Sequence, residues 1–240
     1  MDNPELILDK RILTIGCEPY IIAEIGVNHE GDIDKAKKLI YEAKEGGADA
    51  AKFQSYKASK LASRNSPSYW DTNKEATKSQ YELFQKYDKF DEKEYKILAD
   101  YCKSLEISFI STPFDFESAN YLDPLMPFYK IASADLTNVP LLRQVAKKKK
   151  PIVLSTGASS TEEIDFAINI IEKCDNKQIA LLHCILNYPT SNEDANLSMI
   201  KSLKENYPNK IIGYSDHTLP DKNMNVLVAA YLMGSLIIEK

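Results

Sequence analysis

Polar side chains in this 240-residue chain gather at the ends of short apolar runs. Glu24 follows "YIIA", Lys52 and Gln54 lie in "AAKFQSY", Ser111 and Thr112 in "ISFISTPF", and Lys130 and Ser133 in "FYKIAS". Ser155 and Thr156 lie in "PIVLSTG", His183 in "IALLHCI", and Ser215, Asp216 and His217 in "KIIGYSDHT". A lysine inside an apolar run needs explaining, because a buried ammonium is almost never left without a partner. Lys52 and Lys130 aimed at one mouth, with hydroxyls and backbone N–H groups from "STP", "STG" and "YSD", would hold a phosphate, a carboxylate or both. Pairing with an acid such as Glu24, or snorkelling outward, is the plainer fate of either lysine. A Schiff-base lysine is a third option. His217 follows Asp216, so a neutral imidazole there could ligate a divalent metal with the acid orienting the ring. His183, within an apolar run, reads as a satisfied core histidine; no HxH or HExxH spacing occurs.

These residues need a frame that brings run ends together. Eight β-branched runs, at 20–26, 50–56, 107–114, 128–133, 151–157, 179–185, 210–216 and 235–240, are separated by stretches of helical periodicity. In the first of these stretches Ile33, Ala36, Leu39, Ile40 and Ala43 share a face, Asp32 offers an N-cap, and Gly46 and Gly47 a stop. Further helices are expected near 91–105, 116–122, 138–148, 161–173, 196–206 and 222–233. Alternating strands and helices imply a parallel sheet. Eight strands at this length predict an α/β fold, a (β/α)8 TIM barrel lacking its last helix, in one domain over 1–240. A doubly wound open sheet competes, but no GxGxxG turn follows the first strand. "LIL" (6–8) and "ILTI" (12–15) predict an N-terminal β-hairpin plugging the barrel's lower end. The insertion at 57–90 is expected to be a lid or partner surface. In a barrel the strands' C-terminal ends form the active face.

Composition removes other classes. A net charge of −5 argues against a nucleic-acid surface, and "KKKK" at 147–150 reads as a solvated helix end. The N-terminus lacks the basic start and apolar stretch of a signal peptide, and no run reaches membrane-spanning length. Scattered Cys17, Cys102, Cys174 and Cys184 are expected to be reduced, mostly buried thiols of a cytoplasmic protein.

In order and spacing, "IIAEIGVNHEGD", "KFQ", "FISTPFD", "YKIAS", "LSTG", "LLHC" with "YPT", and "IIGYSDHT" resemble the sialic acid synthase family. This family covers N-acetylneuraminate, legionaminate and pseudaminate synthases and a spore-coat polysaccharide branch. The resemblance, from about residue 12 to the C-terminus, implies a barrel that condenses phosphoenolpyruvate with the open-chain aldehyde of an N-acylated amino-hexose. It implies a divalent metal, Mn2+ or Mg2+, with His217 as ligand. Lys52, Thr112, Lys130, Ser133, Ser155 and Ser215 would hold the phosphate and carboxylate. Gln54, Asp135 and Tyr188 would touch the sugar, and Glu24 would orient the reacting groups or the attacking water. A homodimer is implied for the full-length form.

The chain also departs from that pattern. Asp135 stands where the family carries Glu, one methylene longer. Where the family reads HCTNxYP, "HCILNYP" puts Leu186 at the Asn position and Asn187 one residue on, a shift that would reverse the side chain on a strand. In the family the final "IEK" runs on into HFT, whose His is a second metal ligand, then an eighth helix and an antifreeze-like domain. "GSLIIEK" is thus expected to be a barrel strand cut at its functional end, leaving a chain that associates or is marginally stable. A Schiff-base aldolase, a related keto-acid sugar synthase and a non-catalytic barrel remain the alternatives.

Overall fold

Short apolar strands can be buried on both faces only if something covers each side, and here helices cover one and the strands' own closure the other. The computed structural model describes residues 4–68, 70–73 and 75–240. The hairpin β1 (Glu5–Leu8) and β2 (Arg11–Thr14) is antiparallel. The barrel strands follow: β3 (Tyr20–Gly26), β4 (Ala50–Ser55), β5 (Ser108–Pro113), β6 (Tyr129–Ile131), β7 (Ile152–Ser155), β8 (Ile179–His183), β9 (Ile211–Ser215) and β10 (Ile237–Glu239). They pair in the order β5-β4-β3-β10-β9-β8-β7-β6, and every ladder between them is parallel. The last strand therefore pairs with the first barrel strand, as closure demands. β5 and β6 lie side by side without a ladder, and Ser111 N donates to Met126 Sδ at 3.0 Å along that seam.

Capping sets where the helices begin. Asp32 accepts from the backbone at the start of α1 (Ile33–Glu45), and Asp91 with Glu94 forms a capping box on α4 (Glu92–Ser104). Asp115 caps α5 (Phe116–Tyr121), Asn138 caps α6 (Val139–Ala146), and Ser160 with Glu163 boxes α7 (Thr161–Glu172). α8 (Ser198–Asn206) and α9 (Asn225–Leu232) complete the crossovers. Each expected helix is present, with ends drawn in by a few residues where 3₁₀ turns or loops take over.

The hairpin closes the lower end. Leu6, Leu8 and Leu13 are buried. Arg11 grips Asp49 at 2.8 Å, while Asp9 accepts from Ser108 Oγ at 2.7 Å, so both anchors sit where barrel strands begin. The 57–90 insertion contains α2 (Ala58–Leu61) and α3 (Gln80–Tyr87) and is tied to the barrel rim. Lys57 pairs with Asp88 at 3.0 Å, and Phe90 stacks on His29 at 4.2 Å. The "KKKK" run ends α6 as expected, but it is less free than a solvated end. Lys148 and Lys150 pair with Asp123, and Lys149 with Asp175.

Candidate active site

Four charged side chains meet inside the upper mouth of the barrel. Lys52 on β4 and Lys130 on β6 are buried, with 4% and 3% of each residue exposed. Their partners are Glu24 at the end of β3 and Glu239 at the end of β10. Lys52 Nζ is in contact with Glu24 Oε2 and lies 3.7 Å from Glu239 Oε2. Lys130 Nζ lies 3.5 Å from Glu239 Oε1. The two lysines are therefore not a bare cationic pocket: both expectations for them, an anion-facing mouth and pairing with Glu24, apply at once.

The two carboxyls are driven apart. Burial pushes Glu24 above the usual carboxylate range, and although Lys52 opposes this, nearby Glu239 reinforces it. Glu239 meets the same burial but has Lys130 and Lys52 on either side and accepts from Ser215 Oγ at 2.7 Å, which holds it down at about 2. Lys52, caught between two acids, stays charged, raised above the ordinary lysine value despite burial. A Schiff-base lysine needs the opposite shift.

The hydroxyls divide by role. Thr112 Oγ1 is 3.5 Å from Lys52 Nζ, and Ser155 Oγ is buried with no partner, so both can serve an incoming anion. Their sequence neighbours are used structurally: Ser111 bonds Ser55 at 2.7 Å, and Thr156 donates to Leu182 O. Ser215 is engaged by Glu239. Gln54 Nε2 donates to Glu24 Oε1 at 3.0 Å, which fixes that carboxyl and ties Gln54 to the charge cluster.

On the far side of the mouth, Ser133 and Asp135 lie on the 3₁₀ turn after β6. Asn138 Nδ2 donates to Asp135 Oδ1 at 3.0 Å, and burial raises that carboxyl. Gly157 (φ +48°) packs so closely here that a Cβ would lie 2.5 Å from Ser133 Cβ and 3.1 Å from Leu186. Cys184 is buried beside them, and burial raises its thiol, which keeps it protonated.

His217 follows β9. Its Nδ1 donates to Ile185 O, Tyr188 lies over the ring at a centroid distance of 4.0 Å, and burial lowers its pKa, so Nε2 carries a free lone pair. Asp216 was expected to orient this ring, and it does not. Its carboxylate accepts from Tyr214, from Thr218 N and Oγ1, and from Lys240 Nζ. His183 is the core histidine expected, bonded to Ala195 O at 2.9 Å and stacked on Tyr214. A second correction concerns "HCILNYP": β8 ends at His183, so Leu186 and Asn187 lie in irregular chain where strand alternation does not apply.

Among the described residues no three His, Cys, Asp or Glu side chains cluster in a way that could hold a metal ion. His217 offers one imidazole, and one ligand does not make a divalent site. Glu239 was missed from sequence, although its signal, an acid closing the apolar run "LII", is the one that singled out Glu24.

Comparisons with known proteins agree with this architecture. The NeuB family model matches residues 39–240. N,N'-diacetyllegionaminic acid synthase of Legionella pneumophila is 40% identical over 92% of this chain and 63% of its own length. An uncharacterized protein of Methanocaldococcus jannaschii is 44% identical over 92% of this chain and 61% of its own. This chain thus spans about three-fifths of the length of these relatives. Among solved structures, the N-acetylneuraminic acid synthetase of Leptospira borgpetersenii superposes with a TM-score of 0.86 at 35% identity, covering 99% of this chain and 78% of that one. A 3-deoxy-D-arabino-heptulosonate 7-phosphate synthase from Thermotoga maritima shares the barrel alone, with a TM-score of 0.71 at 14% identity. With a family model matched from α1 to the last strand and a relative of the same barrel at 35% identity, the chain belongs to the NeuB family.

Proposed function

We propose that this barrel condenses phosphoenolpyruvate with the open-chain aldehyde of an N-acylated amino-hexose, giving a sialic-acid-like sugar acid and phosphate. The observation that carries the reading is the pair of buried lysines beside an unpartnered buried serine hydroxyl, Ser155, at the strand ends. With no partner of its own, the Ser155 hydroxyl has an O–H to offer an incoming anion. The naming of relatives as legionaminic and N-acetylneuraminic acid synthases supports the same chemistry.

In this mechanism Lys52, Lys130, Thr112 and Ser155 bind the phosphate and carboxylate, with Ser133 and Ser215 completing the shell. C3 of phosphoenolpyruvate attacks the aldehyde carbon, water adds at C2, and the tetrahedral intermediate expels phosphate by C–O cleavage. Glu24, held by Gln54 at the mouth, is the group placed to orient the attacking water and to exchange its proton. Glu239 stays ionised and holds both lysines in place. Gln54, Asp135 and Tyr188 are assigned to the sugar. A divalent ion, Mn2+ or Mg2+, would polarise the aldehyde; His217 Nε2 is the one ligand offered here, and the described residues do not complete its site.

The test is phosphate release from phosphoenolpyruvate with a panel of N-acyl hexosamines, for this chain and for a form extended past Lys240 to the length of its relatives. Sugar-dependent release supports the reading, and silence with every aldehyde sugar from the extended form overturns it. Trapping with borohydride separates the Schiff-base alternative: labelling of Lys52 or Lys130 would favour an aldolase.

A further inference from the structure

The site's two positive charges are already matched by two negative ones, Glu24 and Glu239, before any substrate arrives. A phosphate ester with a carboxylate would add two or three more negative charges to a nearly closed, low-dielectric space. Unrelieved, that imbalance is costly, since buried charge must be paired. Among the site's own side chains, relief comes from a change of charge or a movement.

The contacts identify what yields. Glu239 is tied on three sides, by Lys130 at 3.5 Å, Lys52 at 3.7 Å and Ser215 Oγ at 2.7 Å. Glu24 is tied only to Lys52 and to Gln54 Nε2. The charged groups facing Glu24 are Lys52 from β4, Glu239 from β10 and, farther off, Lys130 from β6. A neutral carboxylic acid would also remain satisfied at this position, because rotating the Gln54 amide presents its carbonyl to a Glu24 O–H. With 26% of its side chain exposed, Glu24 can draw its proton from solvent, whereas Glu239 at 6% is enclosed.

We propose that phosphoenolpyruvate enters this pocket together with one proton, which Glu24 takes from solvent as it releases Lys52 to the anion. The balance is simple: the ionised carboxyl, one proton and the anion give a complex in which Glu24 is a neutral acid and Lys52 pairs with the ligand. No covalent bond to substrate forms or breaks in this step. The inference rests on the proposed function for the identity of the ligand. It deepens that reading by leaving Glu24 protonated, and so a proton donor, at the moment the anion is seated. Burial has already raised this carboxyl, which makes the uptake less costly.

Calorimetry of phosphoenolpyruvate binding in buffers of different ionisation enthalpy measures the protons exchanged. At about pH 8 the ligand's phosphate, with a second pKa near 6, brings no proton of its own. His217, held neutral by burial, has none to give. The expected result is an uptake of about one proton per ligand, with affinity falling about tenfold for each further pH unit. Glu24→Gln should abolish the uptake and flatten that pH dependence. Binding by the unmodified chain with no proton uptake overturns the proposal and leaves the functional reading standing, whatever the fate of the variant. Uptake that persists in a folded Glu24→Gln protein overturns it as well. Failure of phosphoenolpyruvate to bind at all removes the ligand reading and the proposal together.

Discussion

At the scale of single residues, the buried charges decide stability as well as chemistry. Glu239 sits at about 2 in the fold against 4.5 for a free carboxyl, so its contribution is complete above about pH 4.5 and is lost as pH falls towards 2. Glu239→Gln should remove that acid-side slope and, by leaving Lys52 and Lys130 half-paired, cost about 3 kcal/mol at neutral pH in urea melts. His29 gives a slope of its own. It is buried against Phe90 with Nε2 unpartnered, and burial holds it at about 4 instead of 6.5. A base that is neutral in the fold and protonated in the unfolded chain loses stability as pH falls from about 6.5 through about 4. Thermal melts across that range should show the loss, and His29→Phe should abolish it. The lysines were legible from sequence because an ammonium in an apolar run is improbable without a purpose. Glu239 was not, because a terminal "EK" looks like ordinary surface charge until the strand pairing carries it between β9 and β3. Asp216 misled for a related reason: adjacency to His217 suggested a partnership, but Tyr214, Thr218 and Lys240 claim its carboxylate first.

At the scale of elements, loops finish what strands begin. Gly157 adopts a positive φ directly after β7 and leaves no room for a Cβ beside Ser133. Gly157→Ala should cost about 1–2 kcal/mol from backbone strain and displace Ser133. A larger loss of phosphoenolpyruvate affinity than of thermal stability, by titration and melting, would show that the displacement matters to the site. The first crossover helix could be read from period and capping because its apolar residues share a face and Asp32 announces its start, and the structure shows Asp91, Asp115 and Ser160 doing the same for later helices. What could not be read was the point where a strand gives way to irregular chain. β8 stops at His183 although apolar residues continue to Leu186, since the chain there turns to pack on Gly157. The apolar run outlasts both the ladder and the burial: Cys184 is still buried, but Leu186 is 50% exposed.

At the scale of the whole molecule, closure and coverage set behaviour. α9 buries Val226 and Ala230 but exposes Val228 (50%) and Leu232 (78%), with Leu219 and Met224 alongside. A contiguous apolar outer face of this kind favours association. We expect sedimentation velocity to show concentration-dependent assembly of the 240-residue chain, and Val228→Glu with Leu232→Glu to shift it towards monomer; an unmodified chain that stays monomeric at all concentrations would count against this. The barrel itself was legible in outline because eight runs alternating with helices allow few closed topologies, but its seam was not, because nothing in composition says which neighbours will lack a ladder. That seam, between β5 and β6, makes the barrel a hoop with a clasp. Seven joints are stitched by parallel backbone hydrogen bonds, while the eighth is held by side-chain packing and by a sulfur acceptor weaker than a carbonyl. The amide hydrogens of Phe109 and Lys130, which the strand alternation turns towards this seam, should therefore exchange ahead of those within the β8–β9 ladder. Thr112 stands at one side of the clasp and Lys130 at the other, so the least tightly bound stretch of the wall is also the one across which a ligand would be gripped.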